Sequence, residues 1–140
     1  MEPELTEEDA IVDWEVFSRT RTELGPGFVR ILGYFREDGV KSIAAVEEAM
    51  RQRDATALVR PAHTLKGESL QFGGEKLGLL AEYIEHTARR CVETHQSPDE
   101  LLEYVVQLRP LFNETVALFD RESSAAAPVR RPVVFGRKAG

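Results

Sequence analysis

The chain has 140 residues, of which 42% are apolar and 30% charged, and these values predict one compact soluble domain with a single core. A formal net charge of -6 argues against nucleic-acid binding. Cys91 is the only cysteine, which excludes an intramolecular disulfide and favours a reducing cytoplasm. The N-terminus lacks an apolar signal core, and no run approaches the roughly 18–20 apolar residues of a membrane span.

The charges are unevenly distributed along the chain. Residues 1–25 hold eight acids and two bases, whereas residues 121–140 hold five bases and one acid. We expect an acidic lead-in over 1–11, a helical bundle over 12–120 and a basic, flexible tail over 121–140. The tail is either solvated or contacts an acidic partner, and Val133-Val134-Phe135 is its one apolar run that could dock.

Helical periodicity dominates the first half of the chain, and strand-like alternation is nearly absent. Asp13 is the expected N-cap of a short helix that Leu24-Gly25-Pro26-Gly27 ends. A longer helix follows, with a possible bend near Gly39. Its apolar stripe consists of Phe28, Leu32, Phe35, Ile43, Val46 and Met50.

Three further helical segments follow in the second half. Asp54 caps a helix that runs to about Phe72, where Gly73-Gly74 ends it. The next helix starts near Glu75, and the cluster Ser97-Pro98-Asp99-Glu100 begins the last one, which we expect Pro110 to kink or split. Their apolar stripes are, in order, Leu58, Ala62, Leu65, Ser69 and Phe72; Leu77, Leu80, Ala81, Ile84, Ala88 and Cys91; and Leu101, Val105, Leu108, Phe112 and Phe119.

This pattern predicts an all-α fold. Four substantial amphipathic helices joined by short loops favour an up-down antiparallel four-helix bundle, because short connections force neighbouring helices to run antiparallel. The additional short N-terminal helix is expected to cover one end of the bundle.

His63 is the strongest candidate for a functional residue. On a helical wheel centred on the apolar stripe of residues 54–72, His63 falls at roughly 140° and Gly67 near 180°, which places both on the outward face. Lys66, Val59 and Leu70 lie on the same flank, at roughly 80° to 120°. A lone surface histidine is usually only solvated, so a function is indicated only by His63 together with Lys66, Gly67 and the two apolar neighbours.

The residues around His63 are suited to a negatively charged modification of its ring and to the approach of a partner protein. An exposed imidazole is a nucleophile, and Lys66, three residues on, can reach negative charge placed on it. A glycine inside a helix costs about 1 kcal/mol relative to alanine, and at Gly67 it lets another protein approach the ring. Val59 and Leu70 offer that protein an apolar surface.

The segment Ala62-His63-Thr64-Leu65-Lys66-Gly67 resembles the signature of histidine-containing phosphotransfer (HPt) domains of multistep phosphorelays. The likeness continues through Ser69 and Phe72-Gly73 to Leu77, and the stretches from Val12 to Gly25 and from Phe28 to Phe35 look like the usual start of this family. The resemblance covers about residues 12–118.

The resemblance implies a phosphocarrier without ATP-dependent kinase activity. His63 is then the phosphoacceptor, taking a phosphoryl group from a receiver-domain aspartyl phosphate and passing it to another receiver aspartate. Lys66 supports the phosphoryl charge, and Val59, Arg60, Gly67 and Leu70 contact the partner. The partners implied are response-regulator receivers and a hybrid or cognate histidine kinase. No cofactor is expected on this chain, since Mg²⁺ belongs to the receiver, and a monomer is expected.

The sequence departs from the family pattern at Pro61, Glu68 and Leu70. Pro61 has no N–H for the carbonyl of Ala57 and is expected to disturb the helix just before the site. Glu68 falls near 280° on the core-side flank, where we expect it to pair with a base on a neighbouring helix. Leu70 replaces a usually small residue and bears on partner choice.

The other histidines and the lack of a nucleotide-binding motif bear on alternative functions. His86 and His95 lack the lysine-glycine context, are expected at the surface, and form no metal-site pattern with His63. A phosphate-cradling glycine-rich loop is missing, which argues against ATP binding. The rivals are a receiver-binding helical adaptor that carries no phosphate and a histidine-kinase dimerisation fragment.

Overall fold

The computed structural model describes residues 11–126, and all regular secondary structure in this part of the chain is helical, with no strand. The predicted all-α class is therefore confirmed. The 3₁₀ turns Gly25–Gly27 and Asp99–Leu101 precede the second and the last helix. The five helices are α1 (Trp14–Leu24), α2 (Phe28–Arg51), α3 (Ala55–Gln71), α4 (Glu75–Glu93) and α5 (Leu102–Ala126).

Short polar side chains and glycines set the helix ends where the sequence predicts them. The Asp13 carboxylate accepts hydrogen bonds from the backbone N–H groups of Glu15 and Val16, and the Asp54 carboxylate accepts one from Ala57. Gly73 ends α3 with a φ of 85°, and a Cβ atom there would lie 2.5 Å from the backbone oxygen of Asp13. Only glycine allows both that backbone angle and that approach.

The four long helices α2 to α5 form the bundle, and α1 closes one end. Connections of a few residues join α2 to α3 and α3 to α4, so these neighbours run antiparallel, and α5 returns to pack on both α2 and α4. The closed end is aromatic: Phe17 of α1 stacks on Phe119 of α5 at 5.0 Å between ring centroids. The Thr20 hydroxyl donates to the backbone oxygen of Gln71, which ties α1 to the end of α3.

Both internal prolines lie within continuous helices. Of the two outcomes expected for Pro110, a kink or a split of the last helix, the split is wrong, because α5 runs unbroken through this residue. Helix α3 likewise continues through Pro61. A proline removes one backbone hydrogen bond, and burial of the neighbouring residues Ala62, Leu108 and Leu111 in the core holds both helices together across that gap.

Helix α2 also passes unbroken through Gly39. A Cβ atom at Gly39 would lie 2.2 Å from the ring of Phe112, so this glycine lets α2 and α5 approach closely. The ion pairs Arg36–Asp120 and Arg109–Glu47 connect the same two helices at the surface.

The ends of the described part bear on the expected domain boundaries. Helix α5 extends to Ala126, so the expected start of the tail at residue 121 falls inside this helix. The rest of that tail, with Val133-Val134-Phe135, lies outside the described residues, as do residues 1–10 of the lead-in. Ile11 is described, and its side chain is buried. Within residues 11–126, no helix combines the length and the apolarity that a membrane crossing needs.

Candidate functional site

His63 lies near the middle of α3 on its solvent face. Its side chain is 59% exposed, whereas the flanking residues Ala62 and Leu65 are fully buried. The apolar stripe predicted for this helix thus packs inward, and the imidazole is accessible to a second protein.

A buried carboxylate on α4 holds the inner side of the ring. Glu85 is only 3% exposed, and its Oε2 lies 2.9 Å from Nδ1 of His63. The ammonium of Lys66 forms an ion pair with Oε1 at 3.1 Å. The guanidinium of Arg89, one turn along α4, donates to Oε2 from Nε at 3.0 Å and from Nη2 at 2.8 Å. We call His63, Lys66, Glu85 and Arg89 the Glu85 cluster.

The cations of this cluster keep Glu85 ionised. Burial by itself raises the pKa of a carboxyl group, but hydrogen bonds from Arg89, Lys66 and His63 outweigh it and lower the pKa of Glu85 from 4.5 to about 2. Glu85 therefore carries a negative charge across the whole physiological pH range.

The charge on Glu85 determines which ring nitrogen of His63 is the nucleophile. An ionised carboxylate only accepts hydrogen bonds, so Nδ1 of a neutral His63 carries the proton that is donated to Oε2. The lone pair of the neutral ring then resides on Nε2. Since the side chain is 59% exposed, the arrangement suits attack by Nε2 on an electrophile brought by another molecule.

Gly67 leaves open space one turn after His63. A Cβ atom at this position would meet no other atom within 4 Å, and the residue itself is exposed. Absence of a side chain here therefore serves no internal packing, in contrast to Gly39.

The other residues expected to contact a partner differ in accessibility. Arg60 is exposed, and Val59 is half-buried against the core. Leu70 is 39% exposed and covers Gly78 of α4, where a Cβ atom would lie 2.4 Å from its Cδ2. The larger residue at position 70 is thus accommodated by a glycine on the facing helix.

Lys66 is near His63, as the spacing predicts, but its ammonium is directed to Glu85. Its side chain is 21% exposed, whereas that of Arg89 is 53% exposed. The cluster therefore holds one lysine that is largely covered and one arginine that is open to solvent.

The expectation that Glu68 pairs with a base is wrong. Its side chain faces Asp38 of α2, and its Oε1 is buried without a hydrogen-bond partner in the described part of the chain. Burial, followed by the charge of Asp38 and a hydrogen bond with it, raises the pKa of Glu68 to about 7. The wheel places Glu68 on the side of α2 but does not reveal which residue of α2 lies opposite.

Sequence analysis missed Glu85 and Arg89. A signal for Glu85 was present, because it lies between Ala81 and Ala88 at helical spacing, within the apolar stripe of α4. An acid inside such a stripe needs a partner. Arg89, four residues later on the same helix, gave no signal of its own. His86 and His95 are exposed and lie outside the cluster, as expected.

Comparisons with known proteins agree on one family. The model of the Hpt domain family matches residues 30–117, which is more than half of the chain. No curated protein matches the chain.

Two solved structures share the fold. The histidine-containing phosphotransfer protein HptB of Pseudomonas aeruginosa PAO1 is 24% identical, with a TM-score of 0.70 over 82% of this chain and 96% of HptB. The HPT domain of a Shewanella Hpt sensor hybrid histidine kinase is 14% identical, with a TM-score of 0.66 over 84% of this chain and 97% of that domain.

Proposed function

The chain belongs to the Hpt domain family, and on that premise we propose that it is a phosphorelay intermediate carrying its phosphoryl group on His63. Members of this family are phosphocarriers in phosphorelays and not kinases. The observation that carries the assignment to His63 is the hydrogen bond of its Nδ1 to the buried carboxylate of Glu85 on an otherwise exposed ring.

The proposed chemistry uses the lone pair of Nε2. This nitrogen attacks the phosphorus of an aspartyl phosphate on a receiver domain, and the aspartate carboxylate leaves. The reverse reaction delivers the group to the aspartate of another receiver. The receiver brings its own Mg²⁺, which screens the phosphoryl charge, and this chain supplies the nucleophile and cations near it.

The proposed partners are response-regulator receivers and the hybrid or cognate histidine kinase of the same relay. Open space at Gly67 and the exposed Arg60 and Leu70 support a docking face around His63. Lys66 and Arg89 offer positive charge beside that face. We propose a cytoplasmic monomer, since one His63 per chain suffices for the transfer.

A phosphotransfer assay with His63→Gln tests the function. Incubation with a ³²P-labelled receiver is expected to give acid-labile label on the native chain and none on the variant. His86→Gln is the matched control, because His86 is an exposed histidine on α4 outside the cluster, and it should be labelled like the native chain. Label that persists in His63→Gln would refute the assignment. Receiver binding without label on any variant would indicate the adaptor instead.

Gly67→Gln tests the docking face separately. The added side chain has room to extend without disturbing the bundle, so the fold should persist while the affinity for a receiver falls by about tenfold or more. Gly33→Gln is the control, since Gly33 is a glycine within α2 where a Cβ atom likewise meets nothing within 4 Å. Isothermal titration with the receiver measures both. Equal affinities for the two variants would contradict a docking role for Gly67.

A further inference from the structure

The geometry of the Glu85 cluster bears on the phosphorylated state as well as on the free ring. One oxygen of Glu85, Oε2, accepts from both His63 and Arg89, while Lys66 pairs with Oε1. Within residues 11–126, these three residues are the charged and titratable groups that lower the pKa of Glu85, two from α3 and one from its own helix α4. With two fixed cations beside it, the carboxylate is anionic whether or not His63 is charged.

We propose that Glu85 is a positioning residue that keeps the Nδ1 proton on the ring after His63 is phosphorylated, so that the phosphoryl group is carried on an imidazolium and leaves readily. This inference rests on the proposed function, because it concerns the phosphohistidine of that function. Glu85 then controls how long the phosphoryl group stays on His63, in addition to the orientation of the ring.

The electrons balance without any proton transfer. When Nε2 attacks phosphorus, the N–P bond forms and the P–O bond to the aspartate breaks, with its electron pair on the carboxylate. The ring then carries a positive charge, and Nδ1 keeps its proton, which it donates in a hydrogen bond to Oε2 of Glu85. In onward transfer the N–P bond breaks, its pair returns to Nε2, and the leaving group is a neutral imidazole that still bears the Nδ1 proton.

Loss of the Nδ1 proton would change the leaving group. A phosphorylated ring without that proton must depart as an imidazolate, which is a far poorer leaving group than neutral imidazole. An adjacent carboxylate favours the charged form of a titrating group by about 1–3 pKa units. Glu85 thus extends the pH range in which the carried group is reactive to higher pH.

Glu85→Gln separates charge from geometry. The amide oxygen of glutamine still accepts the Nδ1 proton, so ring orientation persists while the negative charge is removed. His63 of the full chain is loaded with phosphoramidate, which needs no receiver, and loss of phosphohistidine is followed by ³¹P NMR between pH 5 and 9. Native hydrolysis should stay fast to higher pH, and the glutamine profile should shift down by about one unit, giving about tenfold slower hydrolysis at pH 8.

Two further variants decide how the result is interpreted. Glu82→Gln removes an acid one turn earlier on α4, outside the cluster, and should keep the native profile. Glu85→Asp retains the negative charge and should restore most of the native pH profile of hydrolysis. This variant also tests the inference if Glu85→Gln folds poorly. Identical profiles for the native chain and Glu85→Gln would overturn the inference. A chain that loads from phosphoramidate but never exchanges with a phosphorylated receiver would instead contradict the proposed function.

Discussion

Two carboxyl groups on opposite sides of α3 have pKa values that are shifted in opposite directions. Glu85 reaches His63 and Lys66 from α4, and its pKa is lowered to about 2. Glu68 projects from α3 toward Asp38 of α2, and its pKa is raised to about 7. For both groups burial is the largest cause and acts in the same direction, upward.

The difference therefore comes from the partners. Glu85 has three partner side chains that lower its pKa and outweigh burial, whereas Glu68 has a second acid beside it, which raises its pKa further. Stability follows with opposite signs. The folded-state pKa of Glu85 is depressed, so its contribution is present above pH 4.5 and is lost as the pH falls toward 2. The folded-state pKa of Glu68 is raised, so its contribution is present below pH 4.5 and is lost as the pH rises through about 7.

The largest effect on stability is expected for Glu85→Gln at pH 7. A pKa of 2 against 4.5 corresponds to about 3 kcal/mol, and the exposure of the partner side chains reduces the expected loss to about 2 kcal/mol. Urea unfolding followed by circular dichroism measures the free energy of unfolding. The difference in stability between the native sequence and the variant should narrow below pH 4.5, because there the Glu85 carboxylate of the unfolded chain takes up a proton while that of the folded chain stays ionised to about pH 2.

Glu82→Gln serves again as the control and should change stability by less than about 0.5 kcal/mol. If the loss of stability in Glu85→Gln did not depend on pH between 7 and 3, it would come from packing. The charge of Glu85 would then not stabilise the fold, contrary to the comparison with Glu68.

Glu68→Gln is expected to act in the opposite direction and by less. At pH 8 the native side chain is an ionised carboxylate beside Asp38, whereas glutamine is neutral and its amide N–H can donate to Asp38. We expect a gain of about 1 kcal/mol in the free energy of unfolding at pH 8, since partial exposure screens the repulsion. At pH 4 both side chains are neutral, and the two proteins should be equally stable. A variant that is less stable than the native chain at pH 8 would contradict the acid pair.

Most of the frame in which these two groups lie is predictable from sequence. The caps at Asp13 and Asp54, the stop at Gly73 and the outward face of His63 depend on residues a few positions apart on one segment. Local backbone rules and the helical period are sufficient for such features. The continuation of α5 through Pro110 has a physical reason as well, because packing of a long helix outweighs one missing hydrogen bond.

Contacts between helices are the part that sequence did not provide. The wheel places Glu68 on one flank and Glu85 within the apolar stripe of α4, but the residue opposite each depends on how far the facing helix is shifted along its axis. One turn of shift would exchange Asp38 for a different residue of α2 and would remove the second cause of the raised pKa of Glu68. The charge of the site is thus set by helix register, which a single sequence does not reveal.

Asp38→Asn tests that register with the smallest of these effects. Burial is the largest cause of the raised pKa of Glu68 and Asp38 is the second, so removing the charge of Asp38 should lower the pKa of Glu68 from about 7 but leave it above 4.5. Titration of the Glu68 carboxyl carbon by NMR measures this directly, and stability at pH 8 should rise by about 0.5 kcal/mol. Glu37→Gln is the control, since Glu37 is the exposed neighbour of Asp38 and does not contribute to the pKa of Glu68. A Glu68 pKa that does not move in Asp38→Asn would mean that burial alone raises it. A fall to 4.5 would mean that Asp38 causes the whole increase.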